Sequence, residues 1–248
     1  RGIIPIELGG ISNSMGTPKV IATVTDDNDA SMKLYMAVDD SNLYVAADVT
    51  DDVFNVSSGN WWEQDALELF LGLYDQRGAR HGKFSRGAEP DFKFVILGDS
   101  AFVEFGQTTP LNDKSYFHLH NSGVNGSSDA VIEFKINLDS LAAINGDSVF
   151  SAKEGMRIIF EPTWHDNDGS YEGNIVLSSA NNDNAWQTTH VWSHTYIGRY
   201  DGNILSADED IVATRFELKA NYPHPVNPTT TIEYSIGMAG QTRLMVYD

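Results

Sequence analysis

The chain has 248 residues, enough to bury a core as one large domain or as one domain with an appendage. Its 35 acidic against 16 basic side chains leave a formal charge of -19, which argues against a grip on phosphate backbones and leaves divalent cations or a solubilising surface as uses for the carboxylates. The sequence has no cysteine, which excludes disulfides, thiolate metal sites and cysteine nucleophiles, and no apolar run approaches the roughly 20 residues that cross a bilayer.

Opening at Arg1, with no Met and no signal-like start, the sequence reads as a processed or trimmed product. Residues 1–17 mix Gly, Pro and Ser with short apolar pieces and predict an edge strand around Ile3 to Leu8. Residues 18–25 read as a strand. It is followed by Asp26, Asp27, Asn28 and Asp29, which form either a solvated turn or a calcium loop. Residues 32–38 and 42–50 predict a hairpin. In its second arm Leu43, Val45, Ala47 and Val49 alternate with Tyr44, Ala46, Asp48 and Thr50, the period-2 pattern of a strand with one face on a core. Leu67, Leu69, Leu71 and Leu73 repeat the pattern, with Ala66, Glu68 and Phe70 on the other face. Trp61, Trp62 and Glu63 fall at the mouth of that strand, a place where loops on a rigid sheet carry function.

Residues 75–90, rich in Gly, Arg, Lys and His, predict a loop holding much of the positive charge. Residues 91–97 and 101–105 form a hairpin about Gly98, Asp99 and Ser100. The strand at 115–120 puts His118 and His120 on one face, open both to metal chelation and to an ordinary half-exposed strand. Residues 130–136 alternate cleanly, and Asn137 to Ile144 read as a helical turn. A strand at 156–162 runs into Thr163 to Gly169, which partly matches the Asp-x-Asp-Gly opening of an oxygen-ligand calcium loop. Asp166 and Asp168 would be its ligands, and a tight acidic turn is the alternative. Strands at 174–179 and 195–200 bracket a polar loop with Trp186 and Trp192. Some ten short strands with little helical periodicity predict an all-β fold, an antiparallel β-sandwich of jelly-roll or Ig-like kind over residues 1–201. Residues 202–212 read as a linker. In 213–248 Pro223, Pro225 and Pro228 impose a stiff segment ahead of further strands, a partial Ig-like β segment.

Two resemblances add to this reading. LYVAADVTDD (43–52), WEQDALELF (62–70), DFKF (91–94), VIEFKINLDSL (131–141) and NNDNAW (181–186) occur in an order that resembles the family 9 carbohydrate-binding modules and their DOMON-like relatives, over about residues 18–200. The resemblance implies a non-catalytic β-sandwich that holds a polysaccharide or oligosaccharide between two tryptophans and often carries structural Ca2+. By position the pair is Trp62 and Trp186, with Glu68, Lys93 and Asn184 as polar partners of the sugar hydroxyls. Lys93 stands where the family more often has arginine, a point donor in place of a planar fork. The alternative is that Trp62 packs under the sheet and Trp186 caps it.

NYPHPVNPTTTIEYSI followed by TRLMVYD resembles the start of the C-terminal sorting domain of type IX secretion substrates, with His224 and Val226 where that family commonly has Asn and Phe. It implies export to the surface or medium of a Gram-negative bacterium. A different use of the same residues is a structural or adhesive extracellular subunit that self-assembles by strand addition through 213–248. Tryptophans exposed and facing one another across a groove favour the sugar reading, and tryptophans buried in a core or subunit contact favour assembly. No Ser-His-Asp arrangement, phosphate loop or zinc motif points to an enzyme. Nor is an organic cofactor expected, since haem ligation by Met32, Met36 and His118 is not demanded by their spacing.

Overall fold

Alternating side chains assemble into two antiparallel sheets packed face to face in a computed structural model of the chain. The structure describes residues 3, 5–9, 14, 19–56, 59–73, 92–104, 108–146, 149–198, 217–218 and 234–235. It divides into a unit of Gly2–Arg199 and a unit of Arg1 with Tyr200–Asp248. The predicted loop at 75–90, the linker and the proline segment lie outside the described residues.

In the larger unit the first sheet runs in the order β1 (Ile6–Gly9), β3 (Ala30–Val38), β4 (Asn42–Asp51), β10 (Ala130–Asn137), β9 (Phe117–Asn121). The second runs β2 (Lys19–Ala22), β12 (Tyr171–Val176), β11 (Arg157–Asn167), β5 (Ala66–Gly72), β6 (Phe92–Leu97), β7 (Ser100–Glu104), β8 (Thr108–Pro110), and β13 (Ser193–Tyr196) also pairs with β11. The sandwich expected from the alternation is therefore present. Strand β8 was not legible in the sequence. It is three residues long and ends in Pro110 at a sheet edge, where a missing ladder donor costs little. In the smaller unit the two-residue strands β14 (Glu217–Leu218) and β15 (Tyr234–Ser235) pair antiparallel.

The core lies between the sheets. Leu43, Val45, Ala47 and Val49 of β4 and Leu67, Leu69 and Leu71 of β5 are buried in it, as their period-2 spacing requires. Trp164 of β11 is fully buried beside Phe54, with ring centroids 6.2 Å apart, and its Nε1 donates to Asp51 Oδ2 at 3.1 Å. The helix α1 (Leu138–Asn145) starts where the Asn137 side chain accepts the Ser140 N–H at 3.0 Å. It stops at Gly146, whose φ of 65° is the left-handed conformation of a helix C-terminus.

Two differences from the expected pattern position the site. All seven residues of β5 are buried, including Glu68 and Phe70 on the face away from the core, so the second sheet is covered on both faces. Strand β11 extends to Asn167, five residues beyond the predicted end. Asp166 is thus a strand residue beside a register shift at Asp166/Asn167. A strand that long was hidden by its polar tail, which tertiary pairing with β5 and β12 stabilises.

Candidate functional site

The covered outer face of the second sheet gathers a row of polar side chains. Residues Glu161, Thr163 and His165 of β11 alternate with the core-facing Phe160 and Trp164, and lie opposite Phe70, Glu68 and Ala66 of β5. Lys93 of β6 pairs across from Phe70, and Asn174 of β12 across from His165. Glu68, 6% exposed, takes Lys93 Nζ on Oε1 at 2.7 Å and His165 Nε2 on Oε2 at 3.2 Å. Lys93, 4% exposed, also reaches Glu104 Oε2 at 3.0 Å. Burial opposes ionisation of Glu68, but the charge of Lys93 and the bond from His165 outweigh it and hold its carboxyl below the usual value. Because Glu68 accepts through Oε2, His165 turns its other nitrogen, Nδ1, into the buried space without a protein partner. Asn174 Oδ1 is likewise buried without one.

Aromatic rings rim this floor. Trp61 and Trp62 sit on a 3-10 turn, Trp61–Glu63, just ahead of β5. The Trp61 ring lies over Lys93 Nζ at 4.4 Å and edge-on to His165 at 5.6 Å, which shields the ammonium and adds a cation–π attraction. Trp62 stands edge-on to Trp61 at 5.7 Å and is 47% exposed. Trp186, half-buried, comes from the opposite side. It lines one small cavity with Glu68, Thr163, Asn174, Asn181 and Asp183, and its Nε1 donates to Asp183 O at 2.9 Å.

The segment carrying Trp186 is tied to the sheet by Glu161. This fully buried carboxylate accepts from Ser178 N at 2.8 Å, Asn181 Nδ2 at 3.2 Å and Ser193 Oγ at 3.3 Å, bonds that bracket residues 178–193. Burial raises its pKa from 4.5 to about 7. Asn184, expected as a sugar partner, is engaged within the same segment. Its Oδ1 accepts from Asn182 N at 3.0 Å and its N–H donates to Asn181 Oδ1 at 3.2 Å. Asp183, at φ 59°, is the neighbour that lines the cavity.

Of the residues expected from sequence, Glu68, Lys93 and Trp186 meet on this face and Trp62 reaches its rim through Trp61. Trp61 falls where the sequence placed a functional loop at the mouth of β5, whereas His165, Asn174, Asp183 and Glu161 were missed. The signal for two of them was present: Glu161, Thr163 and His165 at i, i+2 and i+4 form a polar face in a strand whose other face is apolar.

A second constellation lies where β4, β5 and β11 begin or end. Carboxylate oxygens of Asp51, Asp65 and Asp166, all buried, approach within 4.8 Å of one another. Asp51, Asp52 and Asp168 form a second such group, and Asp29, Asp168 and Glu172 a third. Asp51 accepts from Trp164 Nε1 and Val53 N, and Asp65 accepts from Asn55 N and Asn167 N. Both oxygens of Asp166 and Oδ1 of Asp168 are buried without a protein partner. Burial first, then mutual repulsion, raises Asp166 to about 8, Asp65 to about 9 and Asp51 to about 6. In Asp168 burial and its bond to Asp52 raise the value to about 7. Orphaned oxygens on hard anionic ligands fit a hard divalent cation bound through oxygen. Asp166 and Asp168 are the two residues that the sequence had singled out.

A two-sheet sandwich with an aromatic-rimmed polar floor is the frame of a ligand-binding domain rather than of a fold defined by a reaction. The model of the carbohydrate family 9 binding domain-like family matches residues 11–197, and the chain belongs to that family, one of non-catalytic modules. Relatives include the exoglucanase XynX of Acetivibrio thermocellus, 29% identical over 188 residues, which are 71% of this chain and 16% of that protein. The endo-1,4-beta-xylanase A of Thermotoga maritima is 40% identical over 105 residues, 42% of this chain and 9% of the enzyme. The chain thus spans less than a fifth of the length of these curated relatives. Two structures of a family 9 module from Caldicellulosiruptor kristjanssonii share the fold. The cellotriose complex has TM-score 0.51 at 21% identity, covering 76% of this chain and 85% of that one. The glucose complex has TM-score 0.52 at 20% identity, covering 80% and 94%.

Proposed function

We propose that the chain binds glucose units of β-linked oligosaccharides and polysaccharides in the tryptophan-rimmed cleft of the second sheet, without chemistry. In this reading Trp62 and Trp186 would stack on the apolar side of a pyranose, and the polar floor would take its hydroxyls. The observation that carries this reading is the pair of buried, unpartnered polar atoms, His165 Nδ1 and Asn174 Oδ1, in a floor already wired through Glu68 and Lys93. Such atoms cost stability unless a bound group satisfies them, and sugar hydroxyls both donate and accept. The exposure of Trp62 supports the sugar reading over the assembly reading, because a ring buried in a core or subunit contact could not stack on a ligand. The sugars in the two similar structures make glucose and cellotriose the first ligands to try.

Isothermal titration with glucose, cellobiose and cellotriose tests it. Saturable binding should weaken at least about tenfold, about 1.4 kcal/mol, in Trp186→Ala and in Trp62→Ala. Heats that are the same in wild type and both variants, or absent across a broad sugar panel, would reject the cleft.

We also propose calcium as the cation of the Asp51, Asp65 and Asp166 cluster, with Asp168 adjoining. There it would supply positive charge that offsets the repulsion among buried carboxylates. The proline-rich stretch NYPHPVNPTTTI supports export through a type IX secretion route of a Gram-negative bacterium and display outside the cell. Deleting residues 213–248 should then trap the protein in the periplasm of such a host with its sugar affinity unchanged. Normal appearance of the deleted protein in the medium would exclude that route.

A further inference from the structure

The first sheet turns its own outer face to solvent, on the opposite side of the sandwich from the tryptophan cleft. On β3, β4, β10 and β9 the alternation that buries Val45 and Phe134 points Tyr35, Tyr44, Ala46, Glu133, Lys135 and His120 outward. Cross-strand register sorts them into rows. Tyr35, Ala46, Glu133 and His120 lie side by side in one row, and Tyr44 and Lys135 lie side by side in the next. The small side chain of Ala46 leaves a depression of about 410 Å³ between the tyrosines and the polar half of the rows. That volume is within the roughly 300–1,000 Å³ range of small-molecule sites, although this depression is an open trough and not an enclosed cavity.

Tyr44 is fixed for contact. It is 38% exposed, and its hydroxyl donates to Asp39 Oδ2 at 2.9 Å. The other oxygen of Asp39 is held by the N–H groups of Ser41 and Asn42, each at 2.7 Å. An aromatic ring immobilised before binding loses little entropy when a ligand arrives.

The chemistry of the trough selects among ligands. Lys33 and Lys135 are matched by Asp48 and Glu133 on the same face, so it offers no net attraction to a polyanion. Phenol rings beside alternating donors and acceptors, spaced by the roughly 4.8 Å between strands, suit a flat neutral chain with apolar faces and equatorial hydroxyls. We propose that this face is a second glycan-contacting surface, which lays a neutral β-linked glucan across Tyr35 and Tyr44 with its hydroxyls on Glu133, Lys135 and His120. It rests on the proposed sugar function for its choice of ligand and on separate residues for its contacts. Two faces pointing apart would let one molecule hold two chains, which raises avidity on a polysaccharide without strengthening either site.

The test is a titration of the isotope-labelled full chain with cellohexaose, followed by amide chemical shifts. Two groups of shifts are expected. One lies around Glu68 and 183–186, and the other lies around Tyr35, Tyr44, Ala46 and Glu133 and persists in Trp186→Ala. The double variant Tyr35→Ala, Tyr44→Ala should keep the first group and lose the second, with retention on soluble glucan in a native gel reduced about threefold or more. Shifts confined to the tryptophan cleft overturn this inference and leave the proposed function standing. Shifts confined to the tyrosine face do the reverse, and no shifts on either face reject both.

Discussion

Lys93 lies at 4% exposure, a burial offset by Glu68 and Glu104 at 2.7 and 3.0 Å and by the Trp61 ring at 4.4 Å. Removing one member of such a pair strands the other. Lys93→Met should therefore cost about 3–5 kcal/mol of stability, because Glu68 keeps a buried charge. Adding Glu68→Gln should return part of that loss. Urea unfolding of the two variants measures both, and a Lys93→Met midpoint equal to wild type would show that water reaches Glu68 in the folded protein. The residue-by-residue resemblance led to Glu68, Lys93 and Trp186. It did not lead to Asp183 in place of Asn184, because which residue of a tight loop lines a cavity depends on its torsions. Asp183 takes a positive φ, a torsion no string of residues announces, and lines the cavity.

At the scale of the element, the segment 178–193 is a polar loop held in shape by a single buried acid. Glu161→Ala removes the acceptor for Ser178, Asn181 and Ser193 together and leaves their buried donors unpaired. Hydrogen exchange across 178–193 should rise about tenfold or more, and sugar affinity should fall with it although Glu161 is hidden from the ligand. Glu161→Gln keeps the carbonyl acceptor and should preserve most of the protection. The pH behaviour separates the two forms. The folded pKa of Glu161, about 7, lies above its ordinary 4.5, so its contribution is fully present below about 4.5 and is lost as pH rises through about 7. The Gln variant, which cannot ionise, should show a flatter stability profile over that window. Profiles of equal slope would remove Glu161 as the titrating group.

At the scale of the whole molecule, the acidic cluster joins the two sheets. Asp51 belongs to β4 in the first, and Asp166 belongs to β11 in the second. Their pKa values, and those of Asp65 and Asp168, are raised above the ordinary 3.8 to between about 6 and 9. Without a cation, the stability linked to them is greatest below about pH 4 and drains away as pH climbs through 6 to 9. The proposed calcium ion would replace those protons, so the difference in melting temperature between protein in calcium and in EDTA should widen from pH 5 to pH 8. Comparing the same protein with and without the ion cancels groups outside the cluster, Glu68 among them. A gap that is absent, or that stays constant across this range, rejects the calcium staple.

The sandwich was legible because period-2 alternation is a local property: Leu43 to Val49 and Leu67 to Leu71 declare their buried face without reference to any partner. The resemblance in WEQDALELF and NNDNAW was legible for the same reason, since the motifs survive as strings. What only the tertiary structure decided were facts of pairing between distant strands. Strand β11 was lengthened through His165 and Asp166 by neighbours from elsewhere in the chain. Through that extension His165 met Glu68 and Asp166 met Asp51 and Asp65, while Glu161, inside the predicted strand, came to hold the loop of Trp186 through bonds to residues far along the chain. Polar residues in a strand look like a loop until the bonds that satisfy them are in place, and those bonds come from residues about 100 positions away.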